Sequence, residues 1–200
     1  MSTPQFVLDL RAKIGHAPLW MPGVKGAVLR HAPHTEGADA RAAAPAASSM
    51  QVLLVQRRDN GRWTVPAGIL EPGEEPADAI VREVWEEAGV HARALRLVGV
   101  QTTQPTVYPN GDHAQYLDVV MALEALSGEA RVNDDENLAV QWRSVDDLED
   151  VPALHRRAIE WARSQDPRFA DPAGKHPLSD AAWFVSEGQA RRPAAQASTA

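Results

Sequence analysis

The chain has 200 residues, of which 44% are hydrophobic and 24% are charged, a composition typical of one globular domain with extensions. It contains no cysteine, which excludes disulfides, thiolate metal sites and cysteine nucleophiles. The 27 acidic residues outnumber the 20 Lys and Arg residues, and no basic run is longer than two, so we expect no duplex nucleic acid as a partner.

Neither a signal peptide nor a membrane span is predicted. The first 23 residues lack the uninterrupted apolar core that a signal peptide needs. No segment approaches the roughly 20 apolar residues of a transmembrane helix. We therefore expect a soluble, cytoplasmic protein without a membrane partner.

The first quarter of the chain alternates between structured and unstructured composition. Residues 5–14 predict a short helix within an N-terminal extension at 1–22, and residues 23–30 predict a strand. Residues 32–49 contain no large aliphatic or aromatic side chain, so we expect a mobile insertion there. Strand composition returns at residues 51–57.

A short extended segment and an amphipathic helix follow. Residues 63–70 are predicted to be extended, and residues 76–88 helical, because Pro76 suits the first helical position and Gly89 the C-terminal stop. Five apolar side chains of this helix fall within about 100° of one another and predict a face toward the core. These are Ala77, Ile80, Val81, Val84 and Ala88.

The remaining elements complete an alternating order of strands and helices. Further strands are predicted at residues 95–101, 106–108, 115–123 and 138–142. Residues 151–164 predict a helix, and 166–200 a polar, partly flexible C-terminal extension. This order predicts a mixed sheet flanked by helices, of the α+β or α/β class, within a domain at residues 23–165.

Residues Gly68–Val90 join a glycine-bearing loop to a helix that carries an acidic cluster. Glu83, Glu86 and Glu87 stand at positions i, i+3 and i+4 and share one helix face. Their mutual repulsion and the helix dipole both disfavour this arrangement unless a cation neutralises it. Carboxylates are hard oxygen ligands that suit Mg²⁺ or Mn²⁺. Taken alone, the cluster also fits a solvated surface.

This segment resembles the Nudix box, the loop–helix signature of the Nudix hydrolase family, and matches it at every fixed position. The matching residues are Gly68, Glu74, Arg82, Glu83, Val84, Glu86, Glu87, Gly89 and Val90. The resemblance implies an α/β/α sandwich with a mixed sheet. It also implies hydrolysis of a diphosphate bond in a nucleoside diphosphate that is linked to another group.

The resemblance also implies roles for individual residues. Glu83, Glu86 and Glu87 would bind Mg²⁺ or Mn²⁺, together with the backbone carbonyl of Gly68. Arg82 would hold the cluster and the loop in place by ion pairing, with Glu74 as its partner.

A general base is implied on a later loop, where Asp134, Asp135 and Glu136 are candidates and Glu136 is preferred. The same three residues also fit an ordinary polar loop. Arg57 and Trp63 are candidates for contacts with the substrate, although a tryptophan at this position equally fits core packing.

Two single residues bear on the substrate. Pro105, fifteen residues after Val90, resembles a marker of the ADP-ribose pyrophosphatase group. Tyr108, eighteen residues after Val90, resembles a marker of the dinucleoside polyphosphate group. Both also fit turn chemistry. We expect a small-molecule nucleotide such as ADP-ribose or another nucleotide sugar, with dinucleoside polyphosphates as the alternative.

Two other functional classes are open to a chain of this kind. Isopentenyl diphosphate isomerase shares the fold but relies on a cysteine, which this chain lacks. A non-catalytic regulatory module that binds nucleotides is the remaining alternative, and the complete set of three glutamates disfavours it. Trp20 and Met21, beyond the N-terminal helix, are compatible with a homodimer.

Overall fold

A computed structural model of the protein describes residues 3–32 and 50–164, and the backbone of two short strands at 184–186 and 189–191. The predicted insertion at residues 32–49 lies outside the described residues except for Ala32. Most of the predicted C-terminal extension also lies outside them. None of the helices in the described part of the chain is long and apolar enough to cross a bilayer.

The described residues form three helices and ten strands. The helices are α1 (Gln5–Ile14), α2 (Pro76–Ala88) and α3 (Ala153–Ser164). The first five strands are β1 (Leu19–His31), β2 (Met50–Arg57), β3 (Trp63–Thr64), β4 (Ala67–Ile69) and β5 (His91–Thr102). The others are β6 (Thr106–Val107), β7 (His113–Ser127), β8 (Asn137–Ser144), β9 (Phe184–Ser186) and β10 (Gln189–Arg191).

Eight of these strands form one mixed sheet, as the sequence predicts. The main path runs β3-β2-β1-β7-β5, while β4 pairs with β1, β6 with β7, and β8 with β2. β1 and β7 are parallel, in register from Leu19 beside Ala114 to Leu29 beside Glu124. Every other described pair is antiparallel, including the separate β9–β10 hairpin.

The sheet is covered on both faces, which gives the α/β/α sandwich. Successive residues of the central strands point to opposite sides: Leu53 and Val55 of β2 pack with α2, whereas Val52 and Leu54 pack with α3. A strand that is buried on both faces needs apolar residues in sequence, which explains the continuous hydrophobic run of β2. A third, smaller cluster packs α1 against β1 and β7.

α2 occupies the predicted residues because its ends are defined by local chemistry. Pro76 stands at the start, where a missing N–H costs nothing. Gly89 adopts a left-handed conformation with φ of 66°, and its N–H donates to the Trp85 carbonyl to close the last turn. The predicted apolar face is confirmed, with Ile80 at its centre and fully buried.

The predicted strand boundaries were wrong where long-range pairing extends or divides a segment. β1 begins at Leu19 rather than residue 23, because it pairs with β7 from that point. The extended segment at 63–70 divides in two, since β3 pairs with β2 and β4 with β1. β5 and β7 are longer than predicted because they pair with each other as far as His91 and Ser127.

We expect Ile80→Ala to lower the free energy of unfolding by about 2–5 kcal/mol, because the truncation leaves a cavity between α2 and the sheet. Ile80 is 0% exposed, whereas Ile14 in α1 is 40% exposed. The same truncation at Ile14 is the matched control and should cost less than about 1 kcal/mol. Urea unfolding of both variants measures the difference, and equal losses would contradict the placement of Ile80 in the core.

Candidate active site

The acidic cluster of α2 faces the loop that precedes the helix. Glu83 is 1% exposed and Glu87 is 6% exposed, so both carboxylates point inward. Gly68 in β4 lies directly against Glu83, and a Cβ built on this glycine would overlap the Glu83 carboxylate. Only a residue without a side chain lets the backbone approach so closely.

Arg82 ties the loop to the helix. Its guanidinium donates two parallel hydrogen bonds of 2.8 Å to the Glu74 carboxylate, which is the predicted pairing. The remaining donor, Nη1, contacts Glu83 Oε1 at 2.9 Å and Glu86 Oε2 at 3.2 Å. Glu86 is therefore turned toward Arg82 and its side chain is 39% exposed.

The two inward carboxylates lie in an environment that resists charge. Burial raises the pKa of Glu83 to about 7, against the opposing influence of Arg82. Burial and the neighbouring Glu83 and Asp134 carboxylates raise the pKa of Glu87 well above its usual range. The N–H of Ala67 donates to Glu87 Oε2 at 3.3 Å. A cation at this point would compensate both the desolvation and the repulsion.

The donor set has the chemistry of a divalent-cation site. Glu83 Oε2 is buried and has no hydrogen-bond partner, and such an orphaned oxygen is what a hard cation binds. Within residues 3–32 and 50–164, however, no three acidic, His or Cys side chains are gathered into a ready metal cluster. Glu83 and Glu87 are both buried, and Arg82 contacts Glu83 as well as the more exposed Glu86.

A pocket of about 420 Å³ opens in front of Glu83 and Glu87. It brings together six of the residues that the sequence singles out: Arg57, Gly68, Glu83, Glu87, Tyr108 and Glu136. Seven others do not line it: Trp63, Glu74, Arg82, Glu86, Pro105, Asp134 and Asp135. Trp63 packs against the core beneath α3, with the Arg143 guanidinium 5.7 Å from its ring centre, so here the core-packing alternative holds.

The three acidic residues before β8 have different surroundings. Asp134 accepts hydrogen bonds from the backbone of Glu136 and Asn137 and so stabilises the turn. The backbone carbonyl of Asp135 accepts a bond from Arg58. Glu136 is the only one of the three that lines the pocket, which supports its choice as the candidate base.

Five charged or aromatic pocket residues escape the sequence interpretation: Arg11, Lys25, Asp112, Tyr116 and Asp118. Lys25 Nζ and Asp118 Oδ2 lie 2.7 Å apart, and both side chains are almost fully buried. Lys25 and Asp118 each interrupt an apolar run of their strand, and this could have indicated the pair, because buried charges are rare unless they are paired.

We expect Arg82→Lys to lower the free energy of unfolding by about 1–3 kcal/mol, because a lysine cannot bridge Glu74, Glu83 and Glu86 at once. Arg93→Lys is the control, since Arg93 forms one exposed ion pair of 2.6 Å with Glu124. That change should stay within about 0.5 kcal/mol. Denaturant unfolding of both variants checks this, and a neutral Arg82→Lys would mean that the network contributes no stability.

Comparison with known proteins agrees with this geometry. A family model for the NUDIX domain matches residues 38–162. The Nudix hydrolase YvcI of Bacillus subtilis (strain 168) is 31% identical over 104 residues, which are 51% of this chain and 63% of that protein. NudC of Salmonella paratyphi C (strain RKS4594), named an NAD-capped RNA hydrolase, is 39% identical over 114 residues, which are 54% of this chain and 41% of that protein.

The matched region thus spans less than two thirds of either curated relative. Among solved structures, a MutT NUDIX hydrolase from Burkholderia pseudomallei superposes with a TM-score of 0.51 at 25% identity, covering 72% of this chain and 98% of that one. The family match covers more than half of the chain and contains the complete loop–helix signature with its buried glutamates, so the chain belongs to the Nudix hydrolase family.

Proposed function

We propose that the protein is a divalent-metal-dependent hydrolase that cleaves a diphosphate bond in a nucleoside diphosphate linked to another group. The observation that carries the proposal is the pair Glu83 and Glu87, buried beside Gly68 at the floor of an open pocket. Two buried carboxylates, one with an unpartnered oxygen, destabilise a protein without a metal ion. A bound cation would compensate this cost.

The charges around the floor suit a diphosphate. Arg57 and Lys25 line the same pocket as the glutamates. Arg57 makes a bidentate ion pair with Asp59, at 2.8 and 3.0 Å, which orients its guanidinium. Phosphoryl transfer depends mainly on positioning and on neutralisation of the phosphate oxygens, which cations in the pocket supply.

Glu83, Glu87 and the Gly68 carbonyl would hold Mg²⁺ or Mn²⁺, with Glu86 as a further ligand proposed from the family resemblance. When bound, such an ion neutralises phosphate charge and acidifies water. Glu136 would accept the proton of the attacking water as the new P–O bond forms and the bridging P–O bond breaks. Arg82 would hold the loop that carries Glu74 against α2 during the reaction.

The identity of the leaving group is a finer proposal. We retain ADP-ribose or another nucleotide sugar as the first candidate. Dinucleoside polyphosphates are the second candidate. Their marker residue, Tyr108, lines the pocket, whereas Pro105, the marker of the ADP-ribose group, does not. Because one relative is named for NAD-capped RNA, NAD and NAD-capped RNA also belong among the compounds to be tested.

The experiment is a screen of ADP-ribose, UDP-glucose, diadenosine tetraphosphate, NAD and NAD-capped RNA with Mg²⁺ or Mn²⁺. Products are identified by chromatography, and phosphate release is measured after phosphatase treatment. With ADP-ribose we expect AMP and ribose 5-phosphate, and with chelator no turnover. Tight nucleotide binding without any hydrolysis would instead identify a regulatory module.

The extent of the domain and its assembly are also proposals. We propose a Nudix domain that contains the family match at 38–162 and has extensions on both sides. The predicted N-terminal boundary at residue 23 falls inside β1, so this domain also includes residues 19–22. A homodimer is proposed because Trp20 at the start of β1 is 57% exposed, and an exposed tryptophan is more frequent at interfaces than elsewhere on a surface. Light scattering after size-exclusion chromatography measures the oligomeric state.

A further inference from the structure

One end of the pocket is built by residues that precede the family match. α1 contributes Val7 and Arg11 to the lining, and β1 contributes Met21. The family match starts only at residue 38. The facing wall is the connection from β6 to β7, hereafter the 108–113 loop, which contributes Tyr108 among others. α1 and β1 therefore add lining residues that lie outside the matched region, whereas the 108–113 loop lies inside it.

Arg11 connects α1 and the 108–113 loop, the two walls of this end, by hydrogen bonds. Its guanidinium donates to the carbonyls of Gly15 at 3.1 Å and Ala17 at 2.7 Å, and across to the carbonyl of His113 at 2.8 Å. Arg11 Nε lies 3.3 Å from Asp112 Oδ1. One side chain thus joins the end of α1 to the 108–113 loop, although the two are about a hundred residues apart in sequence.

The charges of this end are paired with one another. Asp112 is shared by Arg11, by His16 Nδ1 at 2.8 Å and by the Asn110 amide at 2.9 Å. These polar groups therefore have partners within the wall. The apolar part of this end is aromatic, because the half-buried rings of Tyr108 and Tyr116 line the pocket, whereas Val7 and Met21 of the same cluster are almost fully buried. The two tyrosine hydroxyls lie 3.0 Å apart.

The same pocket also carries charged side chains. Lys25, Arg57, Glu83 and Glu87 line it, and a diphosphate with its cation belongs among them. A nucleotide with its phosphates among these charges has the rings of Tyr108 and Tyr116 in the same pocket as aromatic surfaces for its base. Aromatic rings stack favourably on flat heterocycles, so these two rings favour a base over a sugar hydroxyl surface.

We propose that α1 and the 108–113 loop form the subsite for the nucleobase of the substrate, and that Arg11 is the positioning residue that holds this subsite together. The proposal rests on the proposed function in one respect, namely that the diphosphate lies beside Glu83 and Glu87. Tyr108 contacts the base directly, whereas Arg11 acts through the position of the loop and of α1.

Isothermal titration of ADP and of inorganic pyrophosphate in Mg²⁺ tests this subsite, because the two ligands share the diphosphate and differ in the nucleoside. Wild type should bind ADP more tightly than pyrophosphate. Arg11→Gln and Tyr108→Ala should each weaken ADP binding about tenfold and leave pyrophosphate within about twofold. Tyr108→Phe keeps the ring and should keep the ADP affinity.

Lys13→Gln is the matched control for Arg11, since Lys13 is exposed on the same helix and does not line the pocket. It should alter neither affinity. Equal losses for ADP and pyrophosphate, or unchanged ADP binding in both Arg11→Gln and Tyr108→Ala, would overturn the subsite. The titration measures binding and not turnover. A protein that binds ADP as expected but hydrolyses none of the tested nucleotides therefore contradicts only the proposed function.

Discussion

Glu87→Gln should lower kcat by about two to three orders of magnitude and raise the melting temperature of the metal-free protein. The first effect follows because loss of one carboxylate misplaces the cation and forfeits several kcal/mol of transition-state stabilisation. The second follows because Glu87 is buried beside Glu83, and a neutral amide of the same shape removes both desolvation and repulsion.

Glu86→Gln separates these two effects. Glu86 belongs to the same helix face, so the proposed metal role predicts a similar loss of turnover. Its side chain is 39% exposed and contacts Arg82, so no gain in metal-free stability is expected. Glu71→Gln is the control, because Glu71 is exposed in the loop and does not occupy a fixed position of the signature.

The measurements are kcat and melting temperature, each with and without Mg²⁺, for wild type and the three variants. Mg²⁺ should raise the melting temperature of wild type and have a smaller effect on Glu86→Gln and Glu87→Gln. Near-normal turnover in both of these variants would mean that the acidic cluster does not hold the catalytic metal.

The sequence predicts α2 and the identity of the buried strands well because both depend on local chemistry. Pro76 and Gly89 mark the ends of the helix, and continuous apolar runs mark strands that are covered on both faces. Strand ends depend on partners that are distant in sequence. The start of β1 at Leu19 is defined by Ala114 of β7, which no local pattern could reveal.

Within the site, the signature locates the glutamates but not their burial. Helical spacing puts Glu83, Glu86 and Glu87 on one face, but it does not determine how deeply each carboxylate is buried. The structure buries Glu83 and Glu87 and leaves Glu86 partly exposed, because β4 passes against the helix at Gly68. Tertiary approach of this kind has no counterpart in periodicity.

The pocket also contains residues that no motif indicates. Arg11 and Tyr116 are drawn together by the packing of α1 on β7 and by the fold of the 108–113 loop. Trp63, a candidate for substrate contact, does not line the pocket, and its half-buried ring packs against the core. The sequence thus predicts the acidic cluster on α2, but it does not predict which other residues line the pocket.

Gly68→Ala should abolish most turnover while leaving the fold intact. The added methyl group would occupy the position of the Glu83 carboxylate. A carboxylate at the end of a flexible side chain can swing aside at little cost to folding, so the free energy of unfolding should change by less than about 2 kcal/mol. The displaced Glu83 can then no longer act together with Glu87, and kcat should fall by about two orders of magnitude or more.

Ala67→Gly is the matched control for Gly68→Ala, because it alters the neighbouring residue of β4 by removing a methyl group rather than adding one. The Ala67 N–H that donates to Glu87 is a backbone group and persists in that variant. Turnover within about threefold of wild type is expected for Ala67→Gly. Full activity of Gly68→Ala at normal stability would show that Glu83 need not occupy its observed position, and the close approach of β4 to α2 would then be a matter of packing alone.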